Sequence, residues 1–174
     1  MKKAVISVGH SILKNGMCTS ASGVVNEYQY NKALAPLLKV YLEKNGWKAD
    51  VVCPEKKFAS KEEEKSYKLP LINQGVYDLA LELHLNASDG TGHGAEVYYK
   101  TETGKAYAQR VQKKLAGVFR DRGAKKEDHL FFLNGTKPAA ILVESFFCDN
   151  KGDCELGKDM KKVAKLIADG IAGK

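Results

Sequence analysis

The chain has 174 residues, which suffices for one domain with a sizeable core and is short for two. Its 28 basic and 21 acidic side chains give a net charge of +7, and no apolar run approaches the roughly 20 residues needed to span a bilayer. The positive charge favours polyanionic partners such as nucleic acid, a membrane surface or an anionic cell-wall polymer. No basic run or aromatic-interleaved basic motif indicates specific nucleic-acid binding.

The first residues are similar to a short signal peptide only in that an apolar run follows basic residues. Two lysines precede an apolar run at residues 4–8, but a polar loop follows without a cleavage site. We therefore predict that this segment is the first strand, and that the protein is synthesised in the cytoplasm without a signal peptide.

Strand and helix patterns alternate through the first half of the chain. Asn26 and the capping-box pattern S-K-E-E at 60–63 predict where its two helices begin. The predicted elements are a strand at 3–8, a helix at 26–45, a strand at 47–53, a helix from 60 to before Pro70, a helical piece at 71–75 and a strand at 78–88. Pro36 is expected to kink or break the first helix near Ala33. The loop at 11–25 is long for a compact domain, and loops of that length are often functional.

The second half continues the alternation. Its predicted elements are a strand at 95–100, a helix at 103–122 ended by Gly123, a short strand at 130–133, a strand at 139–143 ending in Glu144, and a last helix with Leu156, Met160, Val163, Ile167 and Ile171 on its buried face. This order predicts an α/β domain with a mostly parallel sheet and helices on both faces. We expect residues 1–174 to form one domain.

The four cysteines lack the paired spacing of a four-cysteine zinc site. They are Cys18, Cys53, Cys148 and Cys154. Because we predict cytoplasmic synthesis, we expect free thiols, with Cys148 and Cys154 as the pair that could bridge if oxidised.

The stretch D-L-A-L-E-L-H-L-N-A-S at 78–88 gives the first sign of a site. Its leucines alternate with other residues, and the second face turns polar at Glu82, His84 and Asn86. In open α/β sheets, ligands bind beside the carboxyl ends of the strands. His10 follows the first strand in the same way, and Glu144 follows five apolar residues, where an unpaired charge would be costly.

Two imidazoles and a carboxylate are a common ligand set of catalytic zinc, and the loop after His10 delivers Glu27 to the first turn of a helix. Bound zinc lowers the pKa of its water to about 7 and polarises a carbonyl group, while a further carboxylate acts as acid or base. Spacing leaves the choice of residues open. His93 and His129 compete as ligands, Glu82 competes with Glu144 as base, and the helix dipole alone could explain Glu27.

Five short motifs follow one another along nearly the whole chain. They are V-G-H at His10, N-E at Glu27, L-H-L-N-A-S around His84, G-A-E-V-Y-Y at 94–99 and P-A-A-I-L-V-E-S-F-F at 138–147. Together they resemble the zinc-dependent N-acetylmuramoyl-L-alanine amidases of type 3. The segments V-G-H-S-I-L-K and E-S-F-F-C-D-N are most similar to catalytic domains of bacteriophage endolysins active on Gram-positive hosts.

The resemblance implies a twisted six-stranded sheet surrounded by helices. It implies one zinc ion held by His10, Glu27 and His84, with Glu144 as the catalytic carboxylate. It also implies a peptidoglycan substrate, cut at the amide between the lactyl group of N-acetylmuramic acid and L-alanine. Asn86 is a weaker candidate for orienting His84 or the substrate.

The chain departs from the family pattern in two places. Ser7 and Ser11 stand where an acidic residue and a glycine are common, which leaves any carboxylate support for His10 open. Cys53 and Pro54 stand where an arginine is often found, so substrate contacts on that side are expected to differ.

Three other functions fit parts of this pattern. A zinc peptidase of related architecture would cut within the stem peptide, and a cell-wall-binding module would keep the metal without turnover. Glu144 argues against the pure binder, and only the net charge supports a nucleic-acid binder. For an endolysin we expect action on the cell wall after release through a membrane lesion. In the parent protein a C-terminal cell-wall-binding domain could follow.

Overall fold

The structure, a computed structural model, describes residues 1–174. The strands are β1 (Lys3–Val8), β2 (Lys48–Val52), β3 (Leu79–Asn86), β4 (Ala95–Tyr99), β5 (Asp121–Lys126) and β6 (Ala140–Phe147); the helices are α1 (Glu27–Lys44), α2 (Lys61–Gln74), α3 (Glu102–Leu115), α4 (Phe131–Gly135), α5 (Lys151–Gly157) and α6 (Met160–Ala172). The strands form one sheet in the order β2-β1-β3-β6-β4-β5. Only the β4–β6 pair is antiparallel. The predicted six-stranded, mostly parallel α/β architecture is confirmed.

Helices cover the two faces of the sheet unequally. On one face, α1, α3 and α6 enclose a core of 33 buried residues, whereas the cluster under α2 and α4 has only 7. The smaller cluster contains Ala80 of β3 and Leu142 of β6. Along both strands this face continues, at every second residue, into Glu82, His84 and Glu144. The polar residues of interest therefore lie on the thinly covered face. None of the helices is long and apolar enough to cross a membrane.

Side-chain caps begin the two helices that flank these polar residues, as predicted. The Asn26 side chain accepts a hydrogen bond from the Gln29 backbone N–H at 2.9 Å, and the Ser60 hydroxyl accepts one from that of Glu63 at 3.2 Å. The Asn26 cap fixes Glu27 as the first residue of α1. Glu27 thereby reaches the carboxyl end of β3.

The predicted end of the second helix before Pro70 is wrong, and the first helix has no break near Ala33. α1 is continuous across Pro36, and α2 runs from Lys61 to Gln74 across Pro70 rather than ending before it. Proline removes one intrahelical hydrogen bond, and packing compensates that local loss here. Buried Leu34 and Leu38 flank the first proline, and buried Lys68 and Ile72 flank the second.

The segment between α3 and β6 differs from prediction in two elements. The helix predicted to reach Arg122 ends at Leu115, and Asp121–Lys126 forms β5, an edge strand parallel to β4. Charged residues such as lysine are common on edge strands. The sequence of β5, D-R-G-A-K-K, therefore lacks the alternation of apolar and polar residues from which a strand is predicted. The strand predicted at 130–133 is wrong, and this segment belongs to the short helix α4. The prediction failed because the periodicity of so short an apolar run does not distinguish a strand from a helix.

The C-terminal elements also need two corrections. β6 does not end at Glu144 but continues to Phe147, so Glu144 lies inside a central strand. The single last helix is two helices, and Asp159 starts the second by accepting a hydrogen bond from the Lys162 backbone N–H at 3.0 Å. Leu156 consequently belongs to α5 and is half-exposed.

Candidate metal centre and active site

Three side chains, one from the loop after β1, one from β3 and one from α1, converge at the carboxyl edge of the sheet. The Oε1 atom of Glu27 lies 3.1 Å from Nε2 of His10 and 3.0 Å from Nδ1 of His84. The potential ligand atoms of all three lie within 4.8 Å of one another, and the two imidazoles meet edge to face. Two imidazole nitrogens and one carboxylate oxygen at this spacing fit a zinc ion with an open coordination position.

The charges of this group support one another. Burial would raise the pKa of Glu27, which is 3% exposed, but its hydrogen bonds to His10 and His84 outweigh burial and hold that pKa well below its usual range. Burial likewise lowers the pKa of His84, and hydrogen bonds to Glu27 and Glu82 overcome it and raise the pKa well above normal. Glu27 is therefore ionised at neutral pH and offers a negatively charged ligand.

Glu82 is hydrogen-bonded to Nε2 of His84, the ring nitrogen that does not contact Glu27. The Oε2 atom of Glu82 lies 3.2 Å from Nε2 of His84, and Oε1 accepts a hydrogen bond from the Ser7 hydroxyl at 3.1 Å. Burial would raise the pKa of Glu82, but its hydrogen bond with His84 and the charge of that residue lower it. A carboxylate on the outer nitrogen of a ligand histidine fixes the ring orientation. Ser7, one of the departures from the family pattern, thus belongs to the support of His84.

Glu144 lies in register with His84 on β3 and with Glu96 on β4. Its Oε2 atom is buried without a hydrogen-bond partner. Burial raises the pKa of Glu144 to about 7; the charge of His84 opposes this, and those of Glu27, Glu96 and Glu82 add to it. A carboxyl group with a pKa near neutrality can both accept and return a proton.

Asn86 is hydrogen-bonded to Glu96, a residue that was not predicted from the sequence as part of the site. The Asn86 amide donates to Oε1 of Glu96 at 2.6 Å, and the Tyr98 hydroxyl donates to the same oxygen at 2.8 Å. Arg122 and Lys125 of β5 contact the other oxygen. Glu96 is 2% exposed. A carboxylate between the apolar residues of a strand was a signal that could have identified it.

The two competing histidines lie outside the converging group. His93 is in the exposed glycine-rich turn, where its Nδ1 atom lies 3.2 Å from the Thr91 carbonyl oxygen. His129 is 92% exposed and contacts Asp128. A second group close enough to hold a metal ion consists of Glu127, Asp128 and His129. It lies at the surface, where acidic clusters are common without a bound metal.

Two recesses meet at the histidines of the site. The first, of about 270 Å³, extends under α2 and α4, and the second, of about 370 Å³, extends towards β4. The residues that line both are His10, His84, Leu130 and Leu142. Glu82 lines the first recess and Glu144 the second. A scissile bond placed over the histidines would have room for a substituent on each side.

A mostly parallel α/β sheet with a His–Glu–His group and a buried carboxyl group at its carboxyl edge has the make-up of a metal-dependent hydrolase. The sequence model of one family, described as N-acetylmuramoyl-L-alanine amidase, matches residues 4–173. The chain belongs to this family of N-acetylmuramoyl-L-alanine amidases, as its motifs predicted.

Individual relatives agree with this assignment. The catalytic domain of the CD27L endolysin targeting Clostridia Difficile is 56% identical, with a TM-score of 0.98 over 100% of this chain and 98% of that chain. Cwp6 from Clostridium difficile is 28% identical, with a TM-score of 0.84 over 98% of this chain and 28% of its own. The endolysin of Bacillus phage SPP1 is 33% identical over 114 residues. That match covers 58% of this chain and only 41% of the SPP1 endolysin.

Proposed function

We propose that this chain is a zinc-dependent amidase domain that cleaves the bond between N-acetylmuramic acid and L-alanine in peptidoglycan. His10, Glu27 and His84 would hold one zinc ion, and Glu144 would be the catalytic carboxylate. The family match supports the bond cleaved, and the similarity to endolysins supports lysis of a bacterial cell wall by the whole protein.

One observation carries this proposal, namely the convergence of three ligand atoms beside a buried carboxyl group that lacks a partner. Zinc bound there would supply a Lewis acid for the amide carbonyl and an activated water. Glu27 would contribute a negative charge that offsets that of the metal. Glu82 holds His84 through Nε2, which leaves Nδ1, beside Glu27, to bind the ion.

The hydrogen bonds favour Glu144 over Glu82 as the base. Both oxygens of Glu82 are occupied, one by Ser7 and one by His84, whereas Oε2 of Glu144 has no partner. Glu144 would take a proton from the attacking water at this oxygen. It would then deliver the proton to the amide nitrogen as the C–N bond breaks, leaving a lactyl carboxylate and a free L-alanine amine.

The products of digestion test this function. We expect purified Gram-positive cell walls to release peptides that begin with a free L-alanine amine, while the glycan strands stay intact. Mass spectrometry of the soluble fraction would identify both. Peptides that lack the first L-alanine would instead indicate a peptidase that cuts within the stem, and shortened glycan would indicate a glycosidase.

Gly9→Ala is expected to weaken the metal centre without adding or removing a ligand. A Cβ atom at residue 9 would lie 2.3, 2.4 and 2.7 Å from three atoms of the His84 ring, so the imidazole would have to move. We expect zinc affinity, measured by competition with a chelating dye, to fall by about 10–100-fold, the usual range when ligand support is disturbed.

Gly117→Ala is the matched control for this substitution. A Cβ atom at residue 117 would meet only the Lys114 carbonyl oxygen, at 3.3 Å, in a turn after α3. Its zinc affinity should equal that of the wild type. Equal affinity in both glycine variants would show that the contact between Gly9 and His84 does not control the centre.

A further inference from the structure

Helix α2 carries a buried ion pair that the proposed mechanism does not use. Lys68 and Glu64 lie one helical turn apart, with Nζ of Lys68 2.7 Å from Oε1 of Glu64. They are 4% and 5% exposed, whereas most Lys–Glu pairs at this spacing lie on a helix surface. Replacing a buried ion pair by apolar side chains is often neutral or stabilising, so stability alone does not explain it.

The contacts of the pair fall on the chain around His10. Besides Glu64, Nζ of Lys68 donates to the backbone carbonyl oxygens of Val8 and His10. The remaining oxygen of Glu64 accepts a hydrogen bond from the Ser11 hydroxyl at 2.7 Å. The pair thus contacts Val8, His10 and Ser11, which lie before, at and after the predicted ligand.

The backbone of His10 needs such support. Its φ is +65°, the only positive φ among the non-glycine residues of the chain. The left-handed region costs free energy for residues with a Cβ atom and persists where the surroundings enforce it. Because the backbone conformation sets the direction of the side chain, it also sets where Nε2 of His10 lies relative to Glu27.

A direct role in substrate binding does not fit these contacts. All three N–H donors of Lys68 are taken by Glu64, Val8 and His10, and both oxygens of Glu64 are taken by Lys68 and Ser11. Both residues border the first recess, but neither has a polar atom free for a ligand.

We propose that the Lys68–Glu64 pair is a positioning device that holds His10 in its left-handed conformation and so presets the metal centre. This inference rests on the proposed function in one respect, that His10 is a zinc ligand. Ser11, which stands where the family commonly has a glycine, supplies the hydroxyl that joins the device to the chain after His10.

The test replaces the pair by apolar residues, in the variant Lys68→Met/Glu64→Leu. We expect zinc affinity, measured by competition with a chelating dye, to fall by about 10–100-fold, as for other residues that orient ligands. The zinc-free protein should still unfold cooperatively in urea, because removing both charges together leaves no unpaired buried charge. In NMR spectra, the coupling between the amide and α protons of His10 should report that its φ has left the left-handed region.

Leu115→Ala is the control for a merely structural effect. Leu115 is fully buried in the larger core on the opposite face, so this variant should unfold at lower urea and bind zinc as the wild type does. Wild-type zinc affinity in the folded double variant would overturn the inference. Should the double variant not fold, Ser11→Ala takes its place, and unchanged affinity there would have the same meaning. A wild-type protein without zinc affinity would instead overturn the proposed function.

Discussion

Glu144→Gln is expected to abolish lysis of cell walls while leaving zinc bound. Glutamine has nearly the same shape, but its amide cannot accept the proton of the attacking water. Loss of a general base typically costs about 10²–10⁴-fold in rate. Turbidity loss of purified Gram-positive walls would measure the activity, and metal analysis of the dialysed variant should still find one zinc ion per chain.

Two further glutamine variants make this result specific. Glu127 lines the same recess as Glu144, but it accepts a hydrogen bond from the His129 backbone N–H. Glu127→Gln should therefore lyse walls at nearly the wild-type rate. Glu82→Gln should lower zinc affinity, because the amide is a poorer partner for Nε2 of His84. If Glu144→Gln lysed walls at nearly the wild-type rate, Glu144 would not be the base, and Glu82 would be the next candidate.

The sequence predicted the parts of the fold that have a clear hydrophobic period. The alternation in β3 and the apolar run of β6 placed both central strands, and the Asn26 and Ser60 caps placed the starts of two helices. The edge strand β5 has neither a hydrophobic period nor a buried face, so the sequence predicts no strand there, and the first two residues of β5 fall within the predicted end of α3. Pairing with β4 decides its conformation, and that contact is not local.

The sequence predicted the candidate site in a similarly uneven way. Residues with an unusual local setting, such as a histidine on a leucine strand or an acid after five apolar residues, could be singled out. Lys68 and Glu64 could not, because the same spacing is ordinary on an exposed helix surface. Their burial depends on how α2 packs against the end of β1, and the left-handed conformation of His10 left no mark in the sequence.

Removal of the metal is the second prediction with a large expected effect. Exhaustive chelation should eliminate lysis, and zinc added after removal of the chelator should restore it, because no side chain near Glu144 can replace the Lewis acid. Glu27 and the two histidines should then be less constrained, so the zinc-free protein should also unfold at lower urea than the loaded one. Zinc content is measured in parallel with turbidity, so that a tightly held ion is recognised as such.

Single histidine variants show which residues hold the ion. His10→Ala and His84→Ala should each lose both zinc and lysis, since three protein ligands leave none to spare. His93→Ala and His129→Ala are the matched controls, and both should retain zinc and lyse walls like the wild type because their imidazoles lie outside the converging group. Lysis that persisted in protein shown to be free of zinc would contradict the metal-dependent mechanism. Loss of zinc in His129→Ala would instead move the centre to the exposed group around Asp128.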